Sequence, residues 1–418
     1  MSPGGDGPAL PPDVERQLEG TPPAEIAVSL ATYNNAATVP AVVEAIRAGL
    51  EKHFAGVPAV LISADAGSSD ATVERLAAAG LPVVRAAHEA PLAERAAVPF
   101  HGVPGRGAAL RLAFAVARRL GARGLVVLEA DVTSIGGDWL ERLLRPVLEH
   151  GTDLVMPMYE RHRYDGTITN LVLAPLVGAL YGRRVHQPLA GARGLSGRLL
   201  DRLVADPGWP PAGRSMTDLW IEGITLAEGF TLREALLGRW RVESSTRSAD
   251  LPAMVAETLG GIFGVMDIYE ALWRDAVGGE AEAGAAPLLP SAEPVRIDVE
   301  RMIGAFRHGL RDLGSIWEHV LAPETLGDVL SLPADGAERF RFPDPLWARV
   351  VYDFALGHHY RVVYRDHLLR SFVPLYLGRA AAFVIATARG DGAATAAALD
   401  AVSGAFEREK RYLVDSWR

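Results

Sequence analysis

The sequence predicts an α/β protein, with helices on both faces of a mostly parallel sheet and a helical C-terminal domain. Three observations predict it. Short apolar runs alternate with amphipathic, helix-length segments from residue 25 to residue 131. A Gly-, Ala- and Pro-rich stretch without periodicity breaks the pattern at 278–294. From Val295 onward the apolar spacing is helical throughout. Alternation of this kind pairs strands in parallel, because a helix-long crossover is what a parallel connection requires.

In order, residues 1–22 are rich in Gly and Pro and are expected to be a frayed, disordered tail. "EIAVSLATY" reads as a strand, "ATVPAVVEAIRAGLEKHF" as a helix, "AVLISAD" as a strand and "SDATVERLAAAG" as a helix. "PVVRAA" is a strand, "GRGAALRLAFAVARRLG" a helix and "GLVVLEAD" a strand again. A second block from 151 to about 277 continues with "DLVMPMY", "GTITNLVLAPLVGALYG" and "WIEGITLAEG", and closes on the amphipathic helix "LPAMVAETLGGIFGVMDIYEALW". The domains expected are therefore 23–277, a linker at 278–294 and a helical domain at 295–418, with Trp347, Phe354, Tyr360 and Tyr364 among its large residues.

At 418 residues the chain is long enough for two domains, and its net charge of −9 argues against non-specific nucleic-acid binding. It has no cysteine, which excludes disulfides, thiolate metal sites and cysteine nucleophiles. No apolar run is expected to reach a membrane span, and "MSPGGDGPALPPD" lacks a signal-peptide pattern. A soluble, cytoplasmic protein with neither nucleic acid nor membrane as partner is expected.

In such sheets ligands bind at the carboxyl ends of strands, where strand order reverses. The residues expected there are Thr32-Tyr33-Asn34, Asp65, and the pair Glu129 and Asp131. Acids on alternate residues point to opposite faces of a strand, but a strand end can turn and bring both to one divalent cation. Alone, an E-x-D sequence is more often a pair of solvated acids, so its company matters. Asp65 ends a strand just before "AGSSDAT", where Ser69 or Asp70 could simply cap a helix. "VPGRGAAL" places Gly105-Arg106-Gly107 at a helix start, suited to a phosphate or to an ordinary loop cap. No G-x-G-x-x-G follows the first strand.

Together and in this order, "ATYNN", "ADAGSSDAT", "PGRGAAL", "EADVTSIGGDWL", "YDGTITNLVLAPLVGALYGRRVHQPLAG" and "DLWIEGITLAEGF" resemble a family. Residues 25 to 240 are similar to nucleotide-sugar glycosyltransferases of the GT-A fold, a Rossmann-like architecture. More narrowly they resemble the retaining glucosylglycerate, mannosylglycerate and glucosyl-3-phosphoglycerate synthases. The tail segment "FVPLYLGRAAAF" resembles the same group more weakly.

The resemblance implies that Ala31, Thr32 and Asn34 line a nucleoside pocket, with Asp65 on the base or ribose. Gly105 and Arg106 would meet the diphosphate, Arg106 standing where relatives usually have Lys. Glu129, Ala130 and Asp131 match the D-x-D-like motif, with Asp131 ahead of Glu129 as metal ligand; where relatives have a metal-binding His this chain has none, and Glu243 is the nearest residue that could supply a ligand. Gln187, Leu189, Ala190 and Gly191 form the loop beneath the sugar, and Asp218 matches the aspartate beside the reacting sugar. Arg161, Asp165, Thr169 and Arg193 fall to the acceptor. The implied partners are a UDP- or GDP-hexose donor and a small-molecule acceptor, with a divalent cation, Mg²⁺ or Mn²⁺, as cofactor. The helical domain would serve as a homodimer interface or as a cover over the acceptor.

Two departures stand out. Relatives carry Asp or Glu where this chain has Ala192, followed by Arg193, and they carry a metal-binding His in the region that here reads "LGRWRVESSTRSADL". Three consequences stay open: more water on the metal, arginines taking over part of its charge role, or a transfer chemistry altered or lost. The carboxylate lost at Ala192 and the new Arg193 suggest a small hydroxylated acceptor other than plain glycerate, larger or anionic, with a glycerate-like compound or a secondary metabolite as the candidates. An inactive nucleotide-sugar binding protein is the second reading. A sugar-phosphate nucleotidyltransferase would need a Gly-rich loop after the first strand, which "LATYNNAAT" is not. His358-His359 and Trp347/Phe354 read as structural rather than as metal and sugar sites. Arg183-Arg184 suit an anion or an exposed loop, and His186 is the histidine expected near the sugar.

Overall fold

In the computed structural model, residues 9–99, 101–209, 216–243, 250–276, 280–281, 289–333 and 336–418 are described. Part of the segment expected to fray is folded, since helix α1 (Pro12–Glu19) lies within it. Pro12 at the first helical position and Asp13 and Glu15 in the first turn favour a helix there. Val14 is fully buried. The Gln17 side-chain amide donates to the Arg85 carbonyl at 2.8 Å and accepts from the Arg85 N–H at 2.9 Å, extending the sheet edge as a strand would. Residues 1–8 of the expected tail lie outside the described residues.

The strand–helix alternation follows as β1 (Ile26–Thr32), α2 (Val39–His53), β2 (Ala59–Asp65), α3 (Thr72–Ala77), β3 (Val83–Ala87), α4 (Leu92–Ala96), α5 (Arg106–Arg119), β4 (Gly124–Glu129), α6 (Asp138–His150) and β5 (Leu154–Glu160). A π-helical turn, Thr169–Leu173, runs into α7 (Ala174–Tyr181), then come β6 (Arg183–Arg184), β7 (Arg193–Ser196), α8 (Gly197–Val204), α9 (Met216–Ala227) and β8 (Leu232–Arg239). Among the described residues the remaining elements are helices apart from β9 (Glu280–Ala281): α10 (Leu251–Ile268), α11 (Glu270–Trp273), α12 (Val299–Asp312), α13 (Gly314–Val320), α14 (Pro323–Leu330), α15 (Asp344–Tyr360), α16 (Arg365–Thr387) and α17 (Gly392–Ser416).

The main sheet has the order β3-β2-β1-β4-β7-β5-β8. β1 pairs in parallel with β2 on one side and β4 on the other, and β7 is antiparallel to both β4 and β5. Strand order therefore reverses across β1 and β4, the place where a crevice opens at the carboxyl ends. Register puts Thr32 opposite Asp65 and Ala31 opposite Glu129. The expected α/β architecture is the observed one, and β1 and β4 are buried along their whole length and mostly apolar, as central strands are, with Ser29, Thr32 and Glu129 as the polar exceptions.

By contacts the chain divides into two units, Met1–Tyr159 with Leu189–Ala249, and Glu160–Pro188 with Asp250–Arg418. Residues 160–188 and 250–277, expected in the N-terminal domain, thus group with the C-terminal helices. Across the expected linker, Glu280–Ala281 pairs with Arg183–Arg184 as the short β6/β9 ladder.

The first unit's core joins Ile26, Val28 and Leu30 of β1 to Val42 and Ile46 of α2, Val126 and Leu128 of β4, and Leu140, Leu143 and Leu144 of α6. Each such side chain contributes about 1.5–3 kcal/mol by leaving water. Gly194 permits the approach of α6, because a Cβ there would lie 2.2 Å from the Leu143 carbonyl oxygen. Asp153 ties three elements together. It accepts from Ser196 Oγ at 2.8 Å, Arg198 Nε at 3.1 Å and the Thr231 N–H at 3.0 Å, and these partners hold its carboxyl down at about 2 against the opposing effect of burial.

In the second unit Trp347, Phe354 and Phe372 pack ring to ring at 5.3 and 5.0 Å, and Trp347 Nε1 donates to the Leu171 carbonyl at 2.7 Å. Trp347 and Phe354 are core residues, whereas Tyr360 and Tyr364 are exposed. His359 stacks on Trp417 at 4.1 Å and bonds Asp267 at 2.8 Å, a structural arrangement. One expectation is corrected: α10 and α16 are long and apolar enough to cross a membrane. The apolar window of α16 is 72% buried within the protein, as for a core helix, and that of α10 is 50% buried.

Candidate active site

The carboxyl ends of β1, β2 and β4 carry the predicted polar residues, and local hydrogen bonds fix most of them. Asp65 accepts from Thr32 Oγ1 at 2.8 Å, Ser68 Oγ at 2.6 Å, and the N–H groups of Gly67 and Ser68 at 2.9 and 2.8 Å. Its carboxylate organises the turn after β2, and these bonds take up lone pairs that a base or ribose would need. Asn34 adopts positive φ (54°), donates its N–H to Ser68 Oγ and accepts the Ser69 N–H through Oδ1, both at 2.9 Å. The "ATYNN" and "AGSSDAT" segments are thereby stitched into one rim. Ala31 is buried against Ala64, Val103 and Ala109, small side chains beneath that rim.

At the start of α5, Gly105 takes a left-handed conformation and donates its N–H to Glu94 Oε2 at 2.9 Å. The expected diphosphate contact is thus met here by a protein carboxylate. Arg106 turns inward instead of outward. Its Nε donates to Asp218 Oδ2 at 2.9 Å and its Nη2 to the Gly191 carbonyl at 3.2 Å. Arg193, on β7, has no exposed surface. It pairs with Asp218 Oδ1 at 2.7 Å and donates to the Ala190 carbonyl at 3.1 Å. Both arginines thus clasp Asp218 and the 190–191 backbone, and Arg193 does not reach an acceptor on the surface. Burial alone would raise the Asp218 carboxyl, but the guanidiniums of Arg106 and Arg193 hold it below the usual carboxylate range.

The residue sequence reasoning missed is Glu222, one turn beyond Asp218 on α9. Spacing of i and i+4 on one helix face was the available signal. Glu222 Oε1 accepts the Leu189 N–H at 3.1 Å, and Leu189 itself has φ +65°. Burial pushes the Glu222 carboxyl up to about 8, against the pull of Arg193 at 4.0 Å and the Leu189 N–H. At neutral pH it is mostly protonated. One loop, Leu189–Arg193, is thus held by an ionised Asp218, a neutral Glu222 and two buried arginines.

Glu129 lies over that loop. A Cβ on Gly191 would sit 2.0 Å from the Glu129 carboxyl carbon, so the close approach needs glycine. Ala130 is buried, and its carbonyl accepts from Thr38 Oγ1 at 2.5 Å. Beyond it, Val132 bridges Val242 in antiparallel fashion, and the Glu243 N–H donates to the Asp131 carbonyl at 2.9 Å. The structure therefore brings Glu243 alongside Asp131. The ligand atoms of Glu129, Asp131 and Glu243 do not form a tight triad. Among the described residues, the group of three with ligand atoms within 4.8 Å is His53, Asp138 and Glu141. There both imidazole nitrogens already meet carboxylates, at 2.9 and 3.2 Å, and Lys52 sits on Asp138 at 2.8 Å. Residues 244–249, next to Glu243, lie outside the described residues.

The remaining predicted residues belong to the second unit. Asp165 is exposed and accepts the His162 N–H at 3.3 Å, Thr169 is buried at the start of the π-helical turn, and the Arg161 carbonyl accepts the Ser291 N–H at 3.0 Å. Gln187 is half-buried and His186 exposed. Arg184 pairs with Glu407 at 3.1 Å.

No protein-family model matches the chain, and no curated protein does. Among solved structures, the chain is similar to glucosyl-3-phosphoglycerate synthase from Mycobacterium tuberculosis in complex with Mn²⁺, uridine diphosphate and glucosyl-3-phosphoglycerate. The identity is 26% and the TM-score 0.45, over 62% of this chain and 83% of that one. The same enzyme in complex with phosphoglyceric acid is similar at 26% identity and a TM-score of 0.44, over 62% and 83% of the two chains. With Mn²⁺, UDP-glucose and glycerol 3-phosphate the values are 26% and 0.45, over the same shares.

Proposed function

We propose that the protein is a glycosyltransferase of the GT-A type that moves a hexose from a nucleoside-diphosphate sugar to a hydroxyl of a small acceptor, with retention of anomeric configuration. The observation that carries this reading is the pair Glu129 and Asp131 at the carboxyl end of β4, beside the reversal of strand order, with the Gly191 loop under Glu129. Motifs along residues 25–240 support it independently.

Asp131, Glu129 and Glu243 are all carboxylates, which suits Mg²⁺ or Mn²⁺ in kind, and to hold such an ion together their oxygens would have to draw closer than they stand here. Such an ion supplies Lewis-acid neutralisation of charge on a departing diphosphate. The chain's own contribution is positional. Asp218 acts through Arg106 and Arg193, whose guanidiniums bond the Gly191 and Ala190 carbonyls and so fix the loop. Neutral Glu222 holds Leu189 in its left-handed conformation. A pre-organised, largely buried loop of this kind favours attack by an acceptor hydroxyl beside the departing diphosphate, without a protein nucleophile.

The mutual pairing of Arg106, Arg193 and Asp218 supports a second reading, a nucleotide-sugar binding protein without transferase activity. Thermal stabilisation by UDP and GDP, with Mn²⁺ and again with EDTA, tests the common ground. A ligand at a hundredfold excess over its Kd raises stability by about 2.7 kcal/mol. A metal-dependent shift for one base, together with glucoside formation from the matching sugar nucleotide, is the expected result. Stabilisation without product leaves the binding protein, and no shift with either nucleotide ends both readings.

A further inference from the structure

A cavity of about 290 Å³ lies wholly within the second unit, lined by α7, the chain at the end of α11, and α17. Gly178 and Ala179 of α7 and Val414 of α17 give it an apolar wall. A cavity of about 150 Å³ already admits benzene, so a ring carrying one polar group fits here.

Its charged lining runs against the balance of the chain. Arg274, Lys410 and Arg411 line it against one carboxylate, Glu407, in a protein whose net charge is −9. Glu407 is itself met by Arg184, at 3.1 Å and outside the lining. The two lining arginines are matched as well, Arg274 with Glu270 at 2.6 Å and Arg411 with Asp415 at 3.4 Å. Lys410 is the cation left over. Among the described residues it forms no ion pair: its Nζ donates to the carbonyls of Leu180, at 3.1 Å, and Ala276. Burial pushes its ammonium down to about 8, and the charge of Asp275 offsets part of that.

The residue type sharpens the point. Of 42 Lys and Arg residues two are lysines, Lys52 and Lys410. An ammonium has three donors on a slender stem, where a guanidinium presents a flat fork. Two of the Lys410 donors go to backbone carbonyls, which satisfy the N–H groups and leave the charge uncancelled. One N–H and one positive charge remain for a further acceptor. A single carboxylate matches both. A phosphate dianion would bring a second negative charge beside Glu407.

We propose that this cavity binds a small organic acid, one carboxylate on an apolar frame up to the size of a substituted ring, with Lys410 as its counter-ion. The site is additional to the residues around Asp218, and the proposal stands independently of the transferase reading.

The test uses the full chain and 4-methylbenzoate, with 4-methylbenzamide as its uncharged counterpart and inorganic phosphate as an anion without a frame. Because the chain has two lysines, limited acetylation by N-hydroxysuccinimidyl acetate, read by mass spectrometry of the peptides, compares Lys410 with Lys52 directly. The expected result is a saturable protection of Lys410 by 4-methylbenzoate, with Lys52 unchanged and both controls without effect. In calorimetric titration Lys410→Met should weaken binding about tenfold or more, the worth of a hydrogen bond to a charged group. Val414→Trp fills the cavity while keeping the ammonium, and it should abolish the protection. That variant decides the matter if loss of the two carbonyl bonds keeps Lys410→Met from folding. Equal protection by the benzamide would overturn carboxylate recognition, and equal protection by phosphate would overturn the apolar frame. No protection of Lys410, or binding that survives either variant in folded protein, would overturn the site itself.

Discussion

Arg193 Nη2 and Asp218 Oδ1 stand 2.7 Å apart, with Arg193 wholly buried and Asp218 6% exposed. Asp218 also meets Arg106 at 2.9 Å, so one carboxylate serves two guanidiniums, whose remaining donors reach the loop carbonyls of Ala190 and Gly191. Removing one partner of a buried pair leaves charge without compensation, at a cost of about 3–5 kcal/mol. Arg193→Met should therefore lower stability by about 3 kcal/mol or more in urea unfolding. Adding Asp218→Asn to it should cost less than the two single changes together, because both disrupt the same cluster. A loss under about 1 kcal/mol for Arg193→Met would mean that Arg106 alone satisfies Asp218.

Glu222 gives the pH dependence of stability a definite sign. Its carboxyl, ordinarily at 4.5, is pushed up to about 8 in the fold by burial. Between those values the folded state holds a proton that the unfolded chain has released. Stability therefore falls as pH rises from about 4.5 to about 8 and levels off beyond. Glu222→Gln keeps the carbonyl that accepts the Leu189 N–H and has nothing to ionise. The melting temperatures of variant and parent should match near pH 4.5 and diverge by pH 8.5, the variant the higher. Parallel curves would show that Glu222 is ionised throughout.

Two glycines of the same segment should fail differently. At Gly194 an added Cβ would meet the Leu143 backbone oxygen at 2.2 Å, and α6 cannot move without opening the core. Gly194→Ala should cost about 2–4 kcal/mol or prevent folding, in the range of severe overpacking. At Gly191 the obstacle is the end of the Glu129 side chain, which can swing away. Gly191→Ala should leave the melting temperature within a few degrees while weakening metal-dependent nucleotide binding at least tenfold. Equal losses of stability in the two variants would deny Glu129 a role beyond packing.

Much of this was legible in the sequence, and the omissions have local causes. β1, β2, β3 and β4 could be read because their apolar runs are bounded by turn residues and separated by helix-length periodicity. β7 could not, since "RGLS" opens on an arginine that is tolerated in the interior only because Asp218, on α9, faces it. Helix α1 was hidden by the prolines around it, although Pro at a first helical position is itself a start signal. The grouping of residues 160–188 with the C-terminal helices depends on distant partners, such as the Trp347 indole on the Leu171 carbonyl. At the site, residue types announced the strand-end acids. They did not announce that Arg106 would turn inward or that Glu94 would meet the Gly105 N–H, because both depend on what packs nearby.

That Glu94 contact carries the last prediction. An anion at the start of α5 would face the N–H groups and positive end of the helix, but the Gly105 N–H already donates to Glu94 Oε2 at 2.9 Å. A diphosphate arriving there has to displace the carboxylate or bind beside its charge. At about 4 Å and an effective dielectric constant of about 20, like charges repel by roughly 4 kcal/mol, and by about 1 kcal/mol where water screens them. Glu94→Gln retains a side-chain oxygen for the Gly105 N–H and removes the charge. If α5 receives the diphosphate, calorimetric titration should show UDP binding about fivefold tighter or more, since about 1 kcal/mol already corresponds to that factor. The gain should persist in EDTA, because Glu94 is not among the expected metal ligands. Unchanged affinity would place the diphosphate away from α5, and weaker binding would mean that ionised Glu94 organises the loop for its ligand.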